Sequence, residues 1–177
     1  FVPTASTTAQ LALGDALAIA TMKYKKFSRI DFKKLHPAGS LGAQLRTVED
    51  IMIKGKKIPF VNENLKMKKA LKILTEKRLG ILIVRDKNRK TSGIITDGQI
   101  RRKTNEKDNI YNKKVKDIMT KKPISVTKDT LALKALSIMN NKKITSLRVL
   151  DIKNKNKTIG IIHIHNIFCL LYTSDAA

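Results

Sequence analysis

Two long stretches of this chain repeat one order of apolar and polar positions. In each, a short extended segment, "IPFV" or "ISVT", precedes a run whose apolar residues recur three and four positions apart, as in an amphipathic helix. Asp129 and Thr130 are suited to cap the second of these helices. Two β-branched runs separated by polar turns follow in each stretch, and a closing helix begins near Gln99 or Asn166. The pattern therefore predicts a strand–helix–strand–strand–helix unit that occurs twice.

The repeat is also visible in individual residues. Asp50-Ile51-Met52 returns as Asp117-Ile118-Met119, and Gly93-Ile94-Ile95 returns as Gly160-Ile161-Ile162 at the same offset. One such unit leaves a face of its sheet uncovered, so we expect the two units to pack against each other.

The first 45 residues match neither unit. "PTASTTAQLALGDALAIATM" predicts a helix with Ser6, Thr7 or Thr8 near its N-terminus, and "FSRIDFKKL" predicts a short helix that Asp31 caps. This segment is too short for a domain and is expected to be the last two helices of one, so we expect the chain to be a fragment. The predicted divisions are residues 1–45, the first unit at 48–108, the second unit at 115–171, and an unassigned tail at 172–177.

The formal net charge of +23 raises the question of a nucleic-acid partner. The lysines are scattered, aromatic residues make up only 5% of the chain, and no nucleic-acid-binding motif is found, which favours a compositional bias and no nucleic-acid partner. No apolar run is long enough to span a membrane and no signal peptide is seen, so a cytoplasmic protein without a membrane partner is expected. The single cysteine, Cys169, is expected to be a buried apolar residue.

The doubled "DIM…GIITDG" unit resembles a tandem pair of cystathionine-β-synthase (CBS) domains. The junction of "PTASTTAQLALGDALA", "LHPAGSLGAQL" and that pair is similar to the arabinose 5-phosphate isomerases. The resemblance implies an α/β protein with two βαββα CBS units (an α+β pair), preceded by the C-terminal helices of a doubly wound sugar-isomerase (SIS) domain.

In function, the resemblance implies a homo-oligomeric enzyme that converts ribulose 5-phosphate to arabinose 5-phosphate for synthesis of Kdo, a lipopolysaccharide sugar, and that needs no cofactor. We expect the 177 residues alone to be inactive. The alternative is a non-catalytic CBS pair that senses a nucleotide or nucleotide sugar.

His36 in "LHPAGSLG" is the candidate catalytic residue. Isomerisation moves a proton between two carbons, and histidine suits that task near neutral pH; the alternative is a polar residue at a turn. The resemblance implies that this histidine reaches the active site of a neighbouring protomer, although Ala38 stands where the family motif commonly has glycine. Thr4, Ser6 and Thr7 are candidate contacts to the sugar phosphate, and helix capping is the favoured alternative.

For the CBS pair, the resemblance implies an effector site built by the signature G-h-h-[ST]-x-x-[DN]. The residues at the two key positions are Thr96 and Gln99 in the first unit, and His163 and Asn166 in the second. Each unit departs from the signature once, which puts a standard ATP or AMP site in doubt. Arg101 and Arg102 are further candidates to bind an anionic effector. A role of the pair in dimerisation alone stays open.

His163 and His165 alternate with isoleucines, which predicts that both lie on one face of a strand. Two histidines without a nearby carboxylate are too few for a metal site, so none is predicted.

Overall fold

The computed structural model describes residues 3–28, 31–32, 35, 45–104 and 109–174. Before the two units, one long helix is formed, α1 (Thr4–Tyr24). The elements of the first unit are α2 (Val48–Ile51), β1 (Ile53–Lys54), β2 (Phe60–Asn62), α3 (Met67–Lys77), β3 (Ile81–Arg85), β4 (Thr91–Thr96) and α4 (Asp97–Thr104). Those of the second unit are α5 (Val115–Ile118), β5 (Ser125–Thr127), α6 (Ala132–Lys142), β6 (Ser146–Leu150), β7 (Thr158–His163) and α7 (Ile164–Ser174). Short 3₁₀ turns lie at Gly55–Lys57 and Ile110–Asn112.

Each unit forms the predicted strand–helix–strand–strand–helix arrangement, so the predicted fold of the pair is confirmed. The first sheet has the order β2-β3-β4, with β2 parallel and β4 antiparallel to β3. The second sheet has the order β1-β7-β6-β5 and repeats this geometry in β5, β6 and β7. Its additional edge strand, β1, comes from the first unit.

The segment that precedes each unit packs on the other unit. Val48 is fully buried in the core of the second unit, whereas Val115 and Ile118 are buried in the core of the first. Backbone hydrogen bonds fix this exchange: Val48 donates to Thr130 at 2.8 Å, and Val115 donates to Leu65 at 2.9 Å. We call residues 46–54 and 113–120 the exchanged segments. They add backbone hydrogen bonds and buried side chains to the contact between the two units.

Two glycines make room for the exchanged segments. A Cβ on Gly93 would lie 2.5 Å from the backbone oxygen of Thr120, and a Cβ on Gly160 would lie 2.5 Å from the Sδ of Met52. Each "GII" motif therefore contacts the exchanged segment that carries the "DIM" motif of the other copy, and this contact occurs twice.

Between the units, an apolar cluster connects the first sheet with β7. Its buried members are Ile58, Ile81, Ile83 and Ile161. Beside it, the hydroxyls of Thr91 and Thr158, which begin equivalent strands, lie 2.7 Å apart. The units thus face each other around an approximate twofold relation.

The predicted cap of α6 is wrong. The residue before the helix is Leu131, and the hydroxyl of Thr130 lies 3.2 Å from that of Thr127 instead. The first amide of the helix, on Ala132, donates to the carbonyl of Arg46 at 2.8 Å. The exchanged segment therefore does the work that a side-chain cap at Asp129 or Thr130 was expected to do.

The predicted caps near the N-terminus are also wrong. The residue before α1 is Pro3, which makes no side-chain cap, and the hydroxyls of Ser6, Thr7 and Thr8 donate to carbonyls of the preceding turn. Asp31 does take part in capping, but its carboxylate receives the amide hydrogen of Ser28 at 3.0 Å, while the Ser28 hydroxyl faces the amide of Asp31. Ser28 is thus the capping residue and Asp31 its reciprocal partner.

Helix α1 and Cys169 both lie on the outer surface. No residue of α1 is buried, and Leu11 is 71% exposed. Cys169 is exposed, so the expectation that it is buried is wrong, because α7 turns Ile167 rather than Cys169 into the core. Among the helices that the structure describes, none combines the length and apolar character needed to cross a bilayer.

Candidate effector site

The first signature sequence lies where β4 ends and α4 begins. Thr96 is the last residue of β4 and is half-buried. The side chain of Gln99 donates from Nε2 to the carbonyl of Ile118 at 2.8 Å, so it is bound to an exchanged segment. An amide in place of the expected carboxylate makes this bond possible, because a carboxylate has no hydrogen to donate. Gln99, a candidate effector residue, therefore forms part of the joint between the units.

The second signature sequence lies where β7 ends and α7 begins. His163 is the residue before the helix, and its Nδ1 accepts a hydrogen bond from the backbone amide of His165 at 3.2 Å. Asn166 returns the interaction, because its Oδ1 accepts the amide hydrogen of His163 at 3.2 Å. A histidine and an asparagine thus cap α7 reciprocally, in the manner of a capping box.

This cap requires a neutral imidazole, since Nδ1 must carry a lone pair. Burial and, to a lesser extent, the neighbouring His165 lower the pKa of His163. The two rings stack with their centroids 5.1 Å apart and their planes at 22°. The prediction that both histidines lie on one face of a strand is wrong, because α7 begins at Ile164 and places His165 on the helix.

The two helix N-termini differ in charge. The first turn of α4 contains Asp97, whose carboxylate neutralises the positive end of the helix dipole, whereas the first turn of α7 contains no acidic residue. Near α4, Arg102 folds back, so that its Nη1 lies 3.6 Å from where a Cβ on Gly98 would be. Arg101 is exposed in the last turn of the same helix. Of the two predicted arginines, Arg102 is therefore the one whose side chain lies near the start of α4.

The predicted substrate residues lie far along the chain from these two sites. Thr4, Ser6 and Thr7 belong to the exposed first turns of α1, and their interactions are with that helix's own carbonyls. His36 lies outside the described residues. Within the described part of the chain, no group of three or more histidine, cysteine, aspartate or glutamate residues is arranged to hold a metal ion.

The family model of the CBS domain matches residues 48–106 and 115–172. The chain belongs to the CBS-domain family. A solved structure of a CBS pair, CBSX2 in complex with AMP, is 28% identical, with a TM-score of 0.64 over 73% of this chain and 98% of that one.

Curated relatives extend the similarity beyond the CBS pair. Arabinose 5-phosphate isomerase KdsD of Francisella tularensis is 41% identical over 169 residues, which are 95% of this chain and 51% of the relative. The uncharacterized protein RP505 of Rickettsia prowazekii is 40% identical over 168 residues, or 95% of this chain and 51% of the relative. The chain spans about half the length of the curated relatives it matches.

Sequence reasoning missed the way the CBS pair is joined. The partners of Gln99 and of the two glycines are in exchanged segments that are distant in sequence. The sequence does contain a signal for this joint, because "DIM" and "GII" occur together in both copies. The periodicity of apolar residues does not show that these two motifs contact each other.

Proposed function

We propose that the chain is the CBS-pair portion of an arabinose 5-phosphate isomerase, which interconverts ribulose 5-phosphate and arabinose 5-phosphate. The observation that carries this proposal is the extent of the similarity to KdsD. A match over 95% of the chain must include most of α1, which lies outside both matched CBS domains. CBS pairs occur in proteins of many functions, whereas a shared segment before the pair favours shared function of the whole.

The proposal also covers the catalytic residues, the assembly and the pathway of the enzyme. His36 acts as a proton carrier in the isomerisation, and Thr4, Ser6 and Thr7 lie near the sugar phosphate. The enzyme works in the cytoplasm as a homo-oligomer without a cofactor, and its product feeds the synthesis of Kdo for lipopolysaccharide. Residues 1–45 belong to the sugar-isomerase domain and the CBS units occupy 48–108 and 115–171.

The test of the proposal is a direct assay of the full reading frame that encodes this chain. We expect it to convert ribulose 5-phosphate to arabinose 5-phosphate, and the 177-residue chain alone to be inactive. A folded full-length protein without this activity would overturn the proposal and favour a non-catalytic CBS pair.

As a second function, we propose that the CBS pair binds an adenosine nucleotide or nucleotide sugar as an effector. The likeness to CBSX2, whose structure contains AMP, supports this proposal. The start of α7 suits an anion better than the start of α4, because it lacks a carboxylate that would compete for the helix dipole.

Calorimetric titration of the 177-residue chain with AMP tests the effector. His163→Thr restores the hydroxyl of the family signature and still offers a cap acceptor, so we expect tighter binding in this variant. Absence of AMP binding in both proteins would leave dimerisation as the role of the pair.

A further inference from the structure

Arg85 is an arginine on the inner face of the first sheet, where the two units meet. Ile81 and Ile83, two and four positions before it, belong to the apolar cluster between the units. Its guanidinium carbon lies 3.1 Å from the ring centroid of Phe60, which packs against the same cluster. The guanidinium is therefore held flat on an aromatic ring at the edge of the joint between the units.

No carboxylate of the described residues forms an ion pair with this guanidinium. Its Nε is the one buried side-chain nitrogen or oxygen, among the described residues, that has no hydrogen-bond partner. One oxygen of each neighbouring carboxylate accepts a hydrogen bond from another group: Asp86 accepts the amide hydrogen of Lys90 at 2.8 Å, and Glu63 accepts the hydroxyl hydrogen of Ser92 at 2.9 Å. A buried donor without an acceptor costs free energy unless a bound molecule satisfies it.

Two more arginines add positive charge here. Burial and the nearby Arg89 both lower the pKa of Arg85, so Arg89 acts on it as a like charge. The second arginine, Arg148, is connected to Arg85 through two threonines. Arg85 pairs across the strands with Thr91, and the hydroxyl of Thr91 contacts that of Thr158. Thr158 in turn accepts a hydrogen bond from Nε of Arg148 at 2.8 Å.

Arg148 is only 7% exposed, and no carboxylate of the described residues forms an ion pair with it or with the other two arginines. Burial lowers the pKa of Arg148, which is the effect expected where no opposite charge offsets the loss of water.

The arginines are separate from both signature sequences. Along the β3–β4 hairpin, Ile81 pairs with Thr96 at one end and Arg85 pairs with Thr91 at the other. Four residues of strand separate the two ends by roughly 13 Å. A ligand on Arg85 would therefore not occupy the first signature site.

We propose that Arg85, with Arg89, binds a phosphate group at this joint, either free or carried by a small organic molecule. A phosphate oxygen supplies the acceptor that Nε lacks, and the fork of guanidinium hydrogens matches two phosphate oxygens. Because no described carboxylate forms an ion pair with these arginines, a dianion fits them better than a singly charged carboxylate. The hairpin that carries both arginines also contacts Asn156 and Thr158 of the second unit, so the proposed site lies at the joint between the units.

The experiment is a titration of the 177-residue chain with inorganic phosphate, at constant ionic strength set by sodium chloride. Arginine Nε–Hε resonances in ¹⁵N-correlated NMR spectra provide the readout, because each resonance reports on one guanidinium. We expect a saturable shift of the Arg85 resonance. A parallel titration with ribose 5-phosphate distinguishes the sources, since tighter binding than inorganic phosphate indicates an organic phosphate and equal binding indicates the free ion.

Two variants make the result decisive. Arg85→Leu places at this position the residue of the equivalent Leu150 and keeps apolar packing on Phe60; we expect phosphate affinity to fall at least about tenfold. Lys134→Gln removes an exposed charge in the second unit and should leave affinity unchanged. Arg89→Gln is expected to weaken binding if Arg85→Leu does not fold. No saturable shift of the Arg85 resonance, or equal affinity in the parent and both arginine variants, would overturn the proposal.

Discussion

The exchange of segments can be tested most sharply at Gly93. In Gly93→Ala, the new Cβ would lie 2.5 Å from the backbone oxygen of Thr120 and 3.0 Å from the Sδ of Met119. The sulfur belongs to a flexible side chain, but the oxygen belongs to the backbone. That backbone is held by two hydrogen bonds between Ile94 and Thr120, of 3.0 and 2.9 Å. The strand and the exchanged segment must therefore separate.

The size of the effect follows from these contacts. Forcing a methyl group into a packed site costs about 1–3 kcal/mol, and losing or stretching the two backbone bonds adds about 0.5–1.5 kcal/mol for each. We therefore expect the free energy of unfolding to fall by roughly 2–6 kcal/mol. Gly160→Ala should cost less, about 1–3 kcal/mol, because its nearest neighbour is the Sδ of Met52 and the carbonyl of Ile53 is farther away at 3.1 Å.

Equilibrium urea unfolding followed by far-UV circular dichroism measures these differences. Gly98→Ala in α4 is the matched control, because its Cβ would meet only Arg102 at an ordinary 3.6 Å. It should be neutral or up to about 1 kcal/mol more stable, since alanine favours a helix. If Gly93→Ala were as stable as the parent within about 0.5 kcal/mol, the close approach of the exchanged segment would be refuted.

Four further predictions concern other residues. As pH falls below 6.5, the ordinary pKa of histidine, residue 163 takes up a proton in the unfolded chain before it does so in the folded chain. The free energy of unfolding should therefore fall until the pH reaches the lowered pKa of folded His163. His163→Asn caps the helix without titrating and should remove this loss, as measured by urea unfolding at about pH 5 and about pH 7.5. Thr158→Val leaves Nε of the buried Arg148 without its acceptor and should cost about 1–3 kcal/mol in the same assay, an unchanged midpoint being the contrary result. Val115→Ala should cost about 2 kcal/mol and shift NMR signals mainly in the first unit, although residue 115 begins the second; shifts confined to the second unit would contradict the exchange. His36→Ala in the full-length enzyme should lower kcat substantially without loss of assembly, and unchanged turnover would make His36 structural.

The strands and helices of the CBS pair were predictable because their signals are local. The β-branched run in "GILIV" and the three-and-four spacing around Leu71 and Leu74 depend on neighbours within one element. Both elements form where the pattern places them. Local patterns are sufficient for this level of structure.

The joints between the units were not predictable because they depend on partners distant in sequence. The predicted cap at Thr130 is wrong, and Asp31 shares its capping role with Ser28. A polar side chain near a helix start suits several hydrogen bonds, and only the fold decides which one forms. The candidate site shows the same division. Gln99 and His163 were found from their spacing, but their bonds to Ile118 and to the amide of His165 required the structure.

Turnover by the full reading frame tests whether this CBS pair belongs to an arabinose 5-phosphate isomerase. With ribulose 5-phosphate as substrate, formation of arabinose 5-phosphate should follow the concentration of the full-length protein, and the 177-residue chain should give none. If a full-length protein that folds and assembles forms no arabinose 5-phosphate, the CBS pair belongs to a protein of another function.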